Sequence, residues 1–156
     1  MLIRHLTSAD LPALADFYAS LTEAVTYYFQ PWPEVTEEVL REHLVGGHAG
    51  RHLVLGLVAP EGTVEVHGCV CFVDSDQPLL GIGLRERAQG QGWGRALLEA
   101  LLAEADARSL PEVHVTVLKD NARARNLYES VDFLIVGEKA FRCENDSLCL
   151  VRRRVW

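Results

Sequence analysis

Seven consecutive residues, Gln89-Gly90-Gln91-Gly92-Trp93-Gly94-Arg95, carry the clearest chemistry in this chain. They stand between a run of small and apolar residues at 79–84 and a long stretch of helical periodicity beginning near Gly92. Glycine lets the main chain come close to a ligand, and free N–H groups at a helix N-terminus attract anions. Successive amides aimed into one hollow make a nest for phosphate oxygens. Arg95, in the first turn, can add charge. Two other glycine loops do not fit. Counting G-x-G-x-x-G from Gly90 and Gly92 puts Arg95 at the third glycine, and counting from Gly92 and Gly94 puts Leu97 there. The sequence has no loop ending in Gly-Lys-Ser or Gly-Lys-Thr.

Gln89-x-x-Gly92-x-Gly94 resembles the Q/R-x-x-G-x-G/A signature of the GNAT acetyltransferase superfamily. Gly81-Ile82-Gly83-Leu84, then a short spacer, then Gly90 to Leu98 is similar to that family's cofactor motif. Downstream, Asn121-Ala122-Arg123-Ala124-Arg125-Asn126-Leu127-Tyr128-Glu129 resembles its second motif, N-x-x-A-x-x-L-Y-E. Val131-Asp132-Phe133 follows where L-G-F is usual. The order of elements fits the family over nearly the whole chain.

The resemblance implies an α/β (α+β) GNAT fold: a mixed, mostly antiparallel twisted sheet of about seven strands flanked by four helices, in one domain over 1–156. It implies transfer of an acetyl group from acetyl-CoA, as cosubstrate, to a primary amine of a small molecule or peptide. The amine would attack directly in a ternary complex, with no metal involved. Carried over residue by residue, Gln89, Gly90, Gln91, Gly92, Trp93, Gly94 and Arg95 form the pyrophosphate turn. The backbone at Ile82 and Leu84 lies along the pantetheine arm. The Leu84 amide is an oxyanion donor, a role worth about 2.7–4 kcal/mol in other enzymes. Asn121 touches the arm or a bound water, and Tyr128 protonates the departing thiolate. A homodimer is common among relatives. The competing reading is a non-catalytic acyl-CoA sensor with the same fold.

Three positions depart from the family pattern. Gln89 stands where arginine is commoner. Asp132 replaces a glycine just after a helix, where φ is often positive; Asp tolerates that region better than most residues. Thr116 stands where some relatives carry a catalytic glutamate, and this departure bears on mechanism. An alkyl amine, with a pKa near ~10.4, is mostly protonated at neutral pH, so something must accept its proton. The sequence leaves open His67 or Glu65 on the third strand, His114 on the fifth, or a chain of waters.

The elements that must position these groups follow from periodicity. Residues 1–6 read as a strand, and an amphipathic helix follows Thr7-Ser8-Ala9-Asp10 with Leu11, Leu14, Phe17, Tyr18 and Leu21 inward. Residues 27–33, rich in aromatics and broken by Pro31 and Pro33, read as a loop. Tyr28 and Trp32 in it are the expected acceptor-recognition residues, by analogy with the family; the alternative is a hydrophobic plug. A second helix spans 36–45 and is ended by Gly46, Gly47 and Gly50. Strands follow at 52–59, 64–73 and 79–84, with turns at 60–62 and 74–78. A long helix runs to about residue 108, then come a strand at 113–117, a short helix at 121–131 and a hairpin of 133–142 with 148–155.

Composition limits the partners. The 156 residues carry a formal net charge of −7, are 49% hydrophobic and 24% charged, and fit one core. An acidic surface disfavours nucleic acid and anionic membranes. No apolar run approaches the roughly 20 residues of a membrane span, and the start of the chain does not read as a signal peptide, so a cytoplasmic location is expected. His43, His48 and His52 match no common zinc spacing, with no cysteine close by in sequence. Cys69 and Cys71 lie two apart on a strand, and Cys143 and Cys149 are placed to oppose one another across a hairpin, all as free thiols. Arg152-Arg153-Arg154 reads as protection of an edge strand.

Overall fold

The computed structural model describes residues 1–71, 77–141 and 143–153. The ends of the third and last strands expected beyond Cys71 and Arg153, most of the 74–78 turn, Arg142 and Arg154 lie outside the described residues. Seven strands form one sheet in the order β1-β2-β3-β4-β5-β7-β6. They are β1 (Leu2–His5), β2 (His52–Val58), β3 (Val64–Cys71), β4 (Leu79–Leu84), β5 (Glu112–Leu118), β6 (Leu134–Lys139) and β7 (Ser147–Arg153). Every neighbouring pair is antiparallel except β4 and β5, which run parallel.

Helices cover both faces. Leu14 and Phe17 of α1 (Leu11–Ala19) and Leu40 and Leu44 of α3 (Glu37–His48) pack on one face, against Val54, Val58 and Val64. Leu97, Leu98, Leu101 and Ala105 of α4 (Trp93–Ala107) pack on the other, with Leu53, Leu55 and Leu57 of β2. Adjacent β2 side chains therefore enter different cores, which explains the near-continuous apolar run. Tyr128 of α5 (Ala122–Ser130) and Phe133 close the α4 face at the far end of the sheet.

Several expectations need correction. The four expected helices are present, and the described residues add a short fifth. The extra one, α2 (Glu23–Tyr28), takes in Tyr27 and Tyr28, so the aromatic loop begins only at Phe29. Thr22 caps it by accepting from the Val25 amide at 3.4 Å, and the prolines act beyond its end. Helix α3 continues through Gly46 and Gly47 to His48. A Cβ at Gly46 would lie 2.5 Å from the His52 ring, and one at Gly47 would lie 2.8 Å from Val54. These glycines let the helix sit flush on β2, and that packing outweighs a propensity penalty of about 1 kcal/mol each. The arginines of 152–153 do not guard an edge, because β7 lies between β5 and β6. Arg152 instead grips Asp106 through two bonds of 3.0 Å, and Arg153 reaches Glu112 at 3.2 Å. Cys149 is registered opposite Gly137 and not Cys143, and both thiols are free. Asp132 does take a positive φ, 74°.

Candidate functional site

A cleft of about 1120 Å³ opens where the sheet divides. The parallel strands β4 and β5 share one registered pair, Leu79 with His114. Past that pair both line the cleft, β4 through Gly81, Ile82 and Leu84, β5 through Val115, Thr116 and Leu118.

The ladder with β3 determines what β4 offers to this opening. The Arg85 amide donates to the Glu65 carbonyl at 3.1 Å, while Leu84 is registered with Val66 and Ile82 with Gly68. In an antiparallel pair, residues alternate between bonding their partner and turning away. Glu65–Arg85 is a bonded pair, so the amides of Leu84 and Ile82 turn from β3 toward β5, into the opening. The two amides named from sequence thus point into the cleft.

The glycine turn forms one end of it. Gly90 and Gly92 have φ of 74° and 82°, and a Cβ at either would meet nothing within 4 Å. The requirement there is conformational, not spatial. Gly92 caps α4 with no side-chain bond to the first turn, so the leading amides of a 15-residue helix are left without a side-chain cap. Gln89, Gly90, Gly92, Gly94 and Arg95 line the cleft. Gln91 and Trp93 do not. The Gln91 amide nitrogen donates to the Arg87 carbonyl at 2.7 Å, and its oxygen accepts from the Trp93 indole at 3.2 Å. These side chains brace the turn and leave only main chain to a ligand. Gln89 accepts from Arg123 at 3.3 Å, and Arg95 is paired with Glu99 at 3.0 Å.

Helix α5 supplies the opposite wall. The Asn121 side-chain oxygen caps it, accepting from Ala124 N at 3.3 Å, and Asn121 itself lines the cleft. Tyr128 lines it too while being 95% buried, edge-tilted on Phe133 at 5.5 Å. Burial pushes its phenol well above the ordinary range, so it is neutral at any physiological pH.

The aromatic segment closes the remaining side. Phe29 lies directly on β4, since a Cβ at Gly83 would be 2.2 Å from its ring. Trp32 packs edge-on against Tyr18 at 5.6 Å and His43 at 5.0 Å. Tyr28 is exposed at the rim, and Tyr27 donates to Asp120 at 3.4 Å across the mouth. Phe29 and Trp32 therefore cover the sheet and line the cleft at once, which joins the two readings of this segment. Phe29 was not singled out from sequence; the glycine pair Gly81 and Gly83 beneath it was the available signal.

None of the three side chains considered as base lies on the cleft wall. His67 is buried, its Nδ1 2.6 Å from the Tyr18 hydroxyl and its Nε2 3.2 Å from His43 Nε2. Burial first, then His43, holds its pKa well below the usual value, so it is neutral. Glu65 is buried and takes two bonds from Arg87. His114 sits at the start of β5 against Glu112, 2.9 Å away. Among the described residues, the carboxylates that line the cleft are Glu86 and Asp120.

The sequence matches the acetyltransferase (GNAT) family over residues 16–133. The chain belongs to the GNAT acetyltransferase family. It is 30% identical over 131 residues to the [ribosomal protein bS18]-alanine N-acetyltransferase of Escherichia coli, covering 84% of this chain and 79% of that protein. Among solved structures, ribosomal-protein-alanine N-acetyltransferase from Brucella melitensis superposes with a TM-score of 0.81 at 28% identity, over 99% of this chain and 100% of that one. The PaiA N-acetyltransferase of Thermoplasma acidophilum, in complex with coenzyme A, shares the fold with a TM-score of 0.78 at 15% identity, over 98% of each chain. The enzymatic reading thus stands over the sensor: this GNAT protein is an acetyl-CoA-dependent N-acetyltransferase. Among the described residues, no helix is long and apolar enough to cross a membrane.

Proposed function

We propose that this acetyltransferase modifies the free α-amino group of a protein N-terminus, by direct attack on acetyl-CoA in a ternary complex. The carrying observation is the divided sheet. Main-chain donors of β4 and the bare start of α4 stand on one side, and a neutral buried phenol stands on the other.

The pyrophosphate rests on the amides of 90–95, where the helix terminus and the positive-φ glycines favour an anion. The pantetheine arm runs along β4, bonded by the Ile82 amide, with Asn121 across from it. The amine nitrogen attacks the thioester carbonyl carbon. Its oxygen gathers negative charge and accepts from the Leu84 amide. The C–S bond then breaks, and the thiolate takes the Tyr128 proton. The amine's own proton leaves through water, with Asp120 and Glu86 as the carboxylates in reach of the cleft.

Thr116 supports this choice of acceptor. An α-amine has a pKa of about 7.7–8.0 against about 10.4 for a lysine side chain. At neutral pH its unprotonated fraction is therefore roughly three hundredfold larger. A site with no carboxylate at the middle of β5 suits an amine of which about a tenth is already unprotonated at neutral pH. The relatives named for ribosomal-protein alanine point the same way.

Two peptides test the proposal: one starting with a free alanine and carrying an internal lysine, and the same peptide blocked at its N-terminus. Acetyl-CoA turnover on the first, with mass spectrometry placing the acetyl group on the α-nitrogen, is the expected result. Equal turnover on the blocked peptide would overturn it.

A further inference from the structure

We infer that His43, His52 and Cys71, with Cys69 as the fourth ligand, form a zinc site behind the aromatic wall of the cleft. The inference does not rest on acetyl transfer.

The sheet assembles what the sequence scatters. His52 of β2 is registered opposite Cys71 of β3, and cross-strand partners share a face. Cys69, two residues back, shares that face as well. Helix α3 packs there and contributes His43, and Gly46 lets the His52 ring lie against the helix. The His43 and His52 rings stack at 5.5 Å.

The distances suit one small ion. The ligand atoms of His43, His52 and Cys71 all lie within 4.8 Å of one another. The Cys69 and Cys71 sulfurs are 3.9 Å apart. With Zn–S of about 2.3 Å and Zn–N of about 2.0–2.1 Å, a tetrahedron has edges of about 3.8 Å between sulfurs and about 3.4 Å between nitrogens. Cys69 also lies within 4.8 Å of His43, in a second group with His67. His67 stands behind the set, 3.2 Å from His43, with its other nitrogen held by Tyr18.

A second, independent sign is the His52 Nδ1. It is buried and has no hydrogen-bond partner, alone in this among the described residues. Buried polar atoms are rarely left so, because desolvation without a partner costs about 1–3 kcal/mol. A ligand supplies what is missing. Imidazole with thiolate selects zinc over magnesium or calcium, which prefer oxygen. Binding would release the thiol protons to solvent, and it would tie α3 to β2 and β3 under Trp32.

The whole chain, purified under reducing conditions and stripped with a chelator, is titrated with Zn²⁺ against a chromophoric chelator and, separately, with Co²⁺. Expected are one zinc per chain, and for Co²⁺ the intense visible bands of a tetrahedral site with a thiolate charge-transfer band in the near ultraviolet. Cys71→Ser and His52→Gln should each weaken binding at least about a hundredfold, with the stripped fold unchanged by circular dichroism. Wild type should also gain thermal stability with zinc, and Cys71→Ser should not. Absence of stoichiometric binding by the reduced wild type, octahedral cobalt spectra, or equal affinity in Cys71→Ser would each overturn the site.

Discussion

The two sides of the cleft are built by different means. The turn side is main chain: β4, the glycine turn and the start of α4 follow one another within 79–95. Its donors are amides aimed by φ, ψ and ladder register. The aromatic side is side chain: Tyr28 at the end of α2, Phe29 and Trp32 after it, Cys69 and Cys71 from β3, and Asp120 beyond β5. A main-chain site depends on local conformation, so substitution damages it through the backbone. A side-chain wall depends on what packs behind it, so substitution damages fold and recognition together or separately, depending on burial.

The sharpest way to break this contrast is Gly92→Glu. A negative charge would stand among the amides, and a non-glycine residue would be forced to φ of 82°. Coenzyme A affinity, measured by calorimetry, should fall more than about a hundredfold, or about 2.7 kcal/mol. Gly92→Asn tolerates that φ without a charge and should lose far less. Equal losses in the two variants would mean that conformation alone matters there.

Next in size is Tyr128→Phe. It keeps the packing on Phe133 and removes only the hydroxyl. The kcat should drop about 10²- to 10⁴-fold, the range of general acid catalysis, with acetyl-CoA affinity nearly unchanged. A variant with parental kcat would assign sulfur protonation to another group.

The legibility of the two sides follows from how they are made. The turn and the α5 motif are contiguous, so the family resemblance could name Gly90, Gly92, Asn121 and Tyr128 from two short stretches, and all four line the cleft. The expected sheet of about seven strands also stood, because alternating and continuous apolar runs mark strands locally. Helix α2 was missed because its six residues are too few for a period to show, and because Pro31 and Pro33 drew the loop backward. The end of α3 was misplaced because Gly46 and Gly47 carry a packing requirement that propensity does not express. The histidine and cysteine cluster was invisible for a similar reason. His52 and Cys71 meet only through strand register, and His43 only through helix docking. Glu65 and His114 lie off the cleft wall, paired with Arg87 and Glu112, and strand periodicity does not reveal those pairings.

A smaller effect, about tenfold, lies in the pH profile. With α-amino acceptors, kcat/KM should rise about tenfold per pH unit below the amine pKa of about 7.7–8.0 and level off above it. For Tyr128 to act as the proposed acid, its phenol must stay protonated. Burial raises its pKa, so the acid form persists through the ordinary tyrosine value of about 10. The plateau should therefore extend to pH 10. A decline between pH 9 and 10 that disappears in Tyr128→Phe would show a phenol titrating normally, open to water in the working enzyme.

The smallest effects separate the residues of the aromatic wall. Tyr28 is 45% exposed at the rim, with its ring edge-on to that of Tyr27 at 4.8 Å. Tyr28→Ala should raise the acceptor KM roughly threefold to tenfold, leave acetyl-CoA affinity alone and hardly move Tm. Trp32 stands against Tyr18 and His43, so its loss reaches into the α1–α3 core. Trp32→Ala should raise KM to a similar extent and also cost about 1–2 kcal/mol of stability, read from a denaturant midpoint. If both variants left acceptor kinetics unchanged while Trp32→Ala still lowered stability, the wall would be cover for the sheet and recognition would lie elsewhere in the cleft. If Tyr28→Ala alone moved KM, recognition would belong to the rim, and Trp32 would act by holding α3 against β3.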